Sequence, residues 1–148
     1  MTDAPQTNAD DLARRVAKHL LSREGTGPAW GIEIKEARKG YARIAMTVRA
    51  DMLNGHAIAH GGMIFALADT AFAYACNSRN VSTVAQAASI VFLAQAKEGE
   101  RLEAEAREQA LSGRSGVYAV TVSAADGRKI AEFQGLSRGL DQPVLEPS

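Results

Sequence analysis

The run Met63–Cys76, "MIFALADTAFAYAC", constrains the fold more than any other stretch of the chain. Apart from the neighbours Asp69 and Thr70, every residue in it is apolar or small. Its alanine richness and its length favour helix over strand. A helix that is apolar nearly all round must be covered on most sides. The rest of the chain reads as that cover. "IEIKEA" and "ARIAMTV" alternate apolar with polar residues before the run, joined near Lys39-Gly40. After it come "VSTVAQAASIVFLAQ", "RLEAEAREQAL", "GVYAVTVSAA" and "KIAEFQGLSR", separated by Glu98-Gly99, Ser112 to Gly116 and the hairpin signal Asp126-Gly127. The residues of "RLEAEAREQAL" favour helix by propensity, but Leu102, Ala104 and Ala106 alternate strictly and the flanking segments are strands, so it joins the sheet.

Ahead of the first strand, Leu12, Val16 and Leu20 lie at helical spacing, which predicts a surface helix over Asp10 to Arg23. "GTGPAWG" reads as a loop. The expected architecture is α+β: an antiparallel sheet wrapped around one long central helix, with an N-terminal surface helix. One domain is expected over 1–148, with loose ends at 1–9 and 141–148.

Asp69 is the anomaly in the run. A buried, unpaired carboxylate costs several kcal/mol, so it must be bonded, paired, protonated or facing a solvated cleft. Its neighbours at helical spacing, Phe65, Ala66, Phe72 and Ala73, offer no partner. One reading is a structural Asp bonded to a distant loop amide. The other begins with His60-Gly61-Gly62 at the helix start, where glycines let a ligand approach free N–H groups at the positive end of the helix dipole. Such amides stabilise negative charge developing on an oxygen. A flexible helix start is the plain alternative. Gly61 and Asp69 are eight residues apart, about 12 Å along one helix, too far to act on one carbonyl. If they share a site, Asp69 comes from a partner whose helix runs antiparallel across a two-fold axis near Phe65.

Other chemistry is thinly represented. Lys plus Arg and Asp plus Glu are 17 each, so no net field draws nucleic acid. The apolar run is shorter than the roughly 17 to 25 residues that span a bilayer, and it carries Asp69. Neither a phosphate-cradling glycine series nor an export signal is present, and a single cysteine suits a reducing compartment, so a cytoplasmic protein is expected. His56 and His60 are four apart but lie in a loop between Asn54-Gly55 and Gly61-Gly62, which argues against metal. Cys76 sits in an apolar stretch with nothing to activate it as a nucleophile. Asn54 is a turn residue or an amide that orients water or a carboxylate. Arg114, in "SGRSG", is solvated charge or a phosphate ligand.

The run "MLNGHAIAHGGMIFALADTAFAYACNS", the order of elements and the later "GRSGVY" resemble the PaaI group of hotdog-fold acyl-CoA thioesterases. The resemblance implies a hotdog domain, in which the sheet wraps the long helix, assembled as a dimer and then a tetramer. It implies that the Gly61 amide polarises the thioester carbonyl and that Asp69 of the other subunit acts as nucleophile or general base. Asn54 would orient water or the carboxylate, and His60 would support the oxyanion site. Gly62, Thr70 and Phe65 would line the substrate, the strand around Ser89 and Val91 would wall the acyl pocket, and Arg114 would meet a phosphate. Coenzyme A is then part of the substrate, with no separate cofactor or metal. One departure stands out: the group often follows Phe-Leu of the central strand with Arg-Pro, whereas Phe92-Leu93 precedes Ala94-Gln95 here.

The favoured activity is hydrolysis of an aryl- or arylacetyl-CoA thioester, with hydroxylated phenylacetyl-CoA foremost by resemblance. Two alternatives are a hotdog dehydratase or hydratase using His56 or His60 with Asp69, and a non-catalytic acyl-CoA binding module.

Overall fold

In the computed structural model, which describes residues 4–146, the apolar run is a helix at the centre of one curved sheet. In chain order the elements are α1 (Ala4–Arg23), α2 (Thr26–Trp30), β1 (Glu33–Arg38), β2 (Tyr41–Thr47), a 3-10 turn (Ala50–Met52), α3 (Gly61–Cys76), β3 (Val81–Phe92), β4 (Arg101–Ser112), β5 (Ser115–Ala124) and β6 (Lys129–Pro143). The sheet order is β1-β2-β4-β5-β6-β3, and every neighbouring pair is antiparallel. All six predicted strands are present. Leu102, Ala104 and Ala106 of β4 are wholly buried, so alternation overrides helix propensity there.

Three local expectations need correction. The first helix begins at Ala4, inside the segment read as loose over 1–9, and β6 runs to Pro143, inside the tail read as loose over 141–148; residues 1–3 and 147–148 lie outside the described residues. The loop "GTGPAWG" contains the helical turn α2, because Pro28 suits a first helical turn and Gly31, at φ 68°, takes the left-handed end that terminates it.

Along α3, Ile64, Leu67, Ala68, Ala71, Phe72, Tyr74, Ala75 and Cys76 are buried. They pack on Ile44, Met46, Leu102, Val120, Val122 and Phe133 of the sheet in one core. Each fully buried large side chain contributes about 1.5–3 kcal/mol. A stripe comprising Phe65, Ala66, Asp69, Thr70 and Ala73 is only half-buried, and Gly62 is exposed. The helix therefore has one uncovered face.

Ring contacts identify the inner face of the sheet. Phe65 meets Phe133 edge-on with centroids 5.3 Å apart, and Phe72 lies over Gly135, where a β-carbon would come within 2.7 Å of the ring. A Gly135→Val substitution is expected to cost about 1–3 kcal/mol through overpacking, measured as a lower denaturant midpoint with an unchanged slope.

Candidate active site

His60 caps α3: its Nδ1 accepts the Gly62 amide hydrogen at 2.8 Å. That bond fixes the ring's proton on Nε2. The amides of Met63 and Ile64 both donate to the His60 carbonyl. The Gly61 N–H is thus the amide at this helix start without an acceptor among the described residues. The Phe92 ring rests on Gly61, where a β-carbon would lie 3.0 Å from Cζ. Close approach of the ring, rather than backbone torsion, is what calls for glycine.

Asn54 works as a turn residue: its Oδ1 accepts the His56 amide at 2.9 Å and the Ile58 amide at 3.3 Å. Its side-chain NH₂ remains available as a donor. Asn54 and Gly61 line one cleft of about 350 Å³, together with Ile64, Phe92 and Leu93. His56 is exposed on the turn.

Asp69 lies elsewhere, in a cleft of about 670 Å³ with Thr70, Ala73, Glu24 and the start of β3. Burial holds its carboxyl above the usual range, with no donor offsetting it among the described residues. Thr70 spends its hydroxyl on the Ala66 carbonyl at 2.7 Å. Within one chain, Gly61 with Asn54 and Asp69 with Thr70 thus lie in separate clefts. They are divided by the length of helix between them, about 12 Å.

Phe65, Ser89, Val91 and Arg114 line neither of these two clefts. Phe65 packs on Phe133 as core. On β3, Ala88 and Ile90 pair with Gly135 and Phe133, whereas Ser89 and Val91 pair with Gln134 and Glu132. Period-two alternation thus places Ser89 and Val91 on the face turned away from α3 and puts Ile90 and Phe92 on the helix side. Phe92, on the same strand, lines the cleft of Gly61, and Ser89 and Val91 do not. Arg114 ion-pairs with Asp141 at 2.5 Å, both exposed, beside a third cleft that includes Cys76, Tyr118 and Ser137. Burial pushes the Cys76 thiol up to about 12, with the Asp69 charge adding to it, so no thiolate is available for attack. Among the described residues no group of three or more His, Cys, Asp or Glu gathers to hold a metal, and no helix is long and apolar enough to cross a membrane.

Sequence reading missed Glu24 entirely. It reaches across 50 positions to accept the Tyr74 hydroxyl at 2.7 Å, and no local pattern signals such a contact.

A sheet wrapped on one helix, with a free amide at its head and an unpaired acid farther along it, has clear relatives. Residues 56–131 match the family described as "Thioesterase superfamily". The chain is 40% identical over 121 residues to acyl-coenzyme A thioesterase PaaI of Escherichia coli (strain K12), covering 82% of this chain and 86% of that protein. The structure of the E. coli PaaI protein from the phenylacetic acid degradation operon overlays with a TM-score of 0.89 at 37% identity, covering 90% of this chain and 97% of that one. A point mutant of the phenylacetic acid degradation protein PaaI from Thermus thermophilus overlays with a TM-score of 0.76 at 38% identity, covering 79% of this chain and 100% of that one. The chain belongs to the thioesterase superfamily, as a hotdog-fold thioesterase of the PaaI type.

Proposed function

We propose that the chain hydrolyses acyl-CoA thioesters, with aryl and arylacetyl acyl groups such as hydroxylated phenylacetyl the preferred class, at two composite sites of a homodimer. The observation that carries this reading is the separation of the half-sites: a Gly61 amide in one cleft and an Asp69 carboxylate in another, each without a partner among the described residues. An isologous pair of antiparallel helices joins each Gly61 to the other chain's Asp69. The phenylacetic acid degradation operon of the E. coli relative supports the arylacetyl class.

At such a site the thioester carbonyl oxygen accepts the Gly61 N–H at the positive end of the α3 dipole. Asp69 of the partner subunit takes a proton from water as the water oxygen attacks the carbonyl carbon. Collapse of the tetrahedral intermediate breaks the C–S bond, and the thiol leaves with the proton returned by Asp69. A carboxylate that burial keeps above its ordinary pKa is a stronger base for this step. Asn54 orients the water through its free NH₂, His60 holds the loop by its bond to the Gly62 amide, and Thr70 and Phe92 border the substrate. Arg114 serves a coenzyme A phosphate by exchanging its Asp141 partner. The dimers pair into a tetramer.

The sheet edges support the dimer. β1, "EIKEAR", carries four charges and is guarded against pairing. β3, "VSTVAQAASIVF", carries none, and Val84, Val91 and Phe92 on it are 48%, 60% and 51% exposed. An uncharged, exposed edge of this length is a pairing surface. Lysines at two exposed β3 positions, in the double variant Ala87→Lys, Ser89→Lys, are expected to convert dimers to monomers in sedimentation and to lower acyl-CoA turnover at least about 100-fold. A monomer that retains full turnover would overturn the composite site.

A further inference from the structure

The turn that leaves α3 shapes the Asp69 cleft from beyond the helix. At the helix end, the Asn77 side-chain NH₂ donates to the carbonyls of Ala73 and Thr83, and its Oδ1 accepts the Thr83 amide at 2.8 Å. The start of β3 is thereby tied to α3. Three residues on, Asn80 holds a left-handed backbone, φ 66°, which asparagine tolerates better than most residues. Its Oδ1 accepts the amides of Val144 and Leu145, at 3.1 and 2.8 Å, across 64 and 65 positions of the chain. Segments beyond a last strand fray unless they are tied down. These two bonds tie down a tail that the sequence reads as loose.

The tied tail forms a wall. Pro143, Val144 and Glu146 line the cleft of about 670 Å³ that holds Asp69 and Thr70, which Leu20 and Arg23 of α1 also line. Asn80 does not line it, so its influence on an occupant passes through the tail. A wall already ordered before substrate arrives spares the cost of ordering it on binding, and that gain falls on affinity rather than on the chemical step.

We propose that Asn80 is a positioning residue of the acyl-CoA site: by seating residues 143–146 it builds a wall of the Asp69 cleft and tightens the hold on substrate without entering the chemistry. This rests on the Asp69 cleft being part of that site.

The test pairs Asn80→Gly, which accepts the left-handed backbone and removes the side-chain oxygen, with Asn80→Asp, which keeps an acceptor at the same reach. Amide hydrogen exchange at Val144 and Leu145 should lose its protection in Asn80→Gly and keep it in Asn80→Asp. With phenylacetyl-CoA, followed by free-thiol release, KM should rise about tenfold in Asn80→Gly while kcat stays within about twofold of native, the pattern of binding lost equally from ground and transition states. Asn80→Asp should restore the native KM. In Asp69→Asn, where the thioester persists, saturating phenylacetyl-CoA should slow exchange across residues 144–146 further. That measurement needs no change at Asn80, and it decides the matter if melting temperatures show that Asn80→Gly does not fold. Protection that survives Asn80→Gly, a KM that stays native although protection is lost, a kcat that falls with it, a KM that Asn80→Asp fails to restore, or a tail that substrate leaves unchanged overturns the role of Asn80 and the tail alone. Full hydrolysis by Asp69→Asn overturns the reading of the site on which the proposal rests.

Discussion

Asp69→Asn is expected to lower kcat on an acyl-CoA thioester by about 10²–10⁴-fold, the span of a lost general base, while raising the melting temperature. Both follow from one environment. The Asp69 carboxyl is held above its ordinary range by burial, with no donor in compensation. A carboxyl whose folded pKa exceeds its unfolded value is a stabilising group only when protonated. That contribution is complete below the unfolded pKa and is lost as pH rises through the folded one. At neutral pH the native chain therefore carries a penalty that the amide removes. The same direction sets the pH profile: kcat/KM should fall as acid is added, at a midpoint above that of an ordinary aspartate, because the base must be ionised to work. Calorimetry and thiol-release kinetics on one preparation check all three; a variant that is inactive and less stable would place Asp69 in a structural role.

Gly61→Pro is expected to cost about 10²–10³-fold in kcat, the loss of one oxyanion donor; the exposed Phe92 ring must shift from the new β-carbon, and the melting temperature checks that the fold survives. Proline suits the first position of a helix, and His60 before it already has φ −64° and ψ 135°, the extended backbone a following proline requires. The deleted N–H bonds to nothing among the described residues. The decisive experiment mixes the two inactive proteins. In a heterodimer of Gly61→Pro with Asp69→Asn, one composite site has both native residues and the other has neither. Random reassortment should thus restore about a quarter of the native activity per subunit. If no activity returns although heterodimers form, Gly61 and Asp69 do not serve one reaction centre.

Much of this was legible along the chain because the signals are local. Helical character and burial of Met63–Cys76 follow from composition within the run, and strand assignments follow from alternation within a few residues, even at β4. That a site shared by Gly61 and Asp69 would require a partner subunit came from counting the residues between them. Contacts set by register or by long separations were not legible. Ser89 and Val91 lie on the outer face of β3, because the pairing of β3 with β6, bulged between Ala85 and Ala87, decides which parity faces α3, and a slip of one residue reverses every side chain.

By itself, then, the sequence determined the buried central helix, the strands that cover it, and the fact that its glycine pair and its lone acid cannot meet within one chain. Tertiary structure decided which amide stays free, since His60 folds back on Gly62 and leaves Gly61 unbonded. It also decided that Phe92 covers Gly61 and that Glu24, which borders the cleft of Asp69, accepts the Tyr74 hydroxyl. The division has a physical cause. Periodicity and propensity act over one or two turns, whereas the partner of a polar group is chosen by packing between elements that the chain separates by tens of residues.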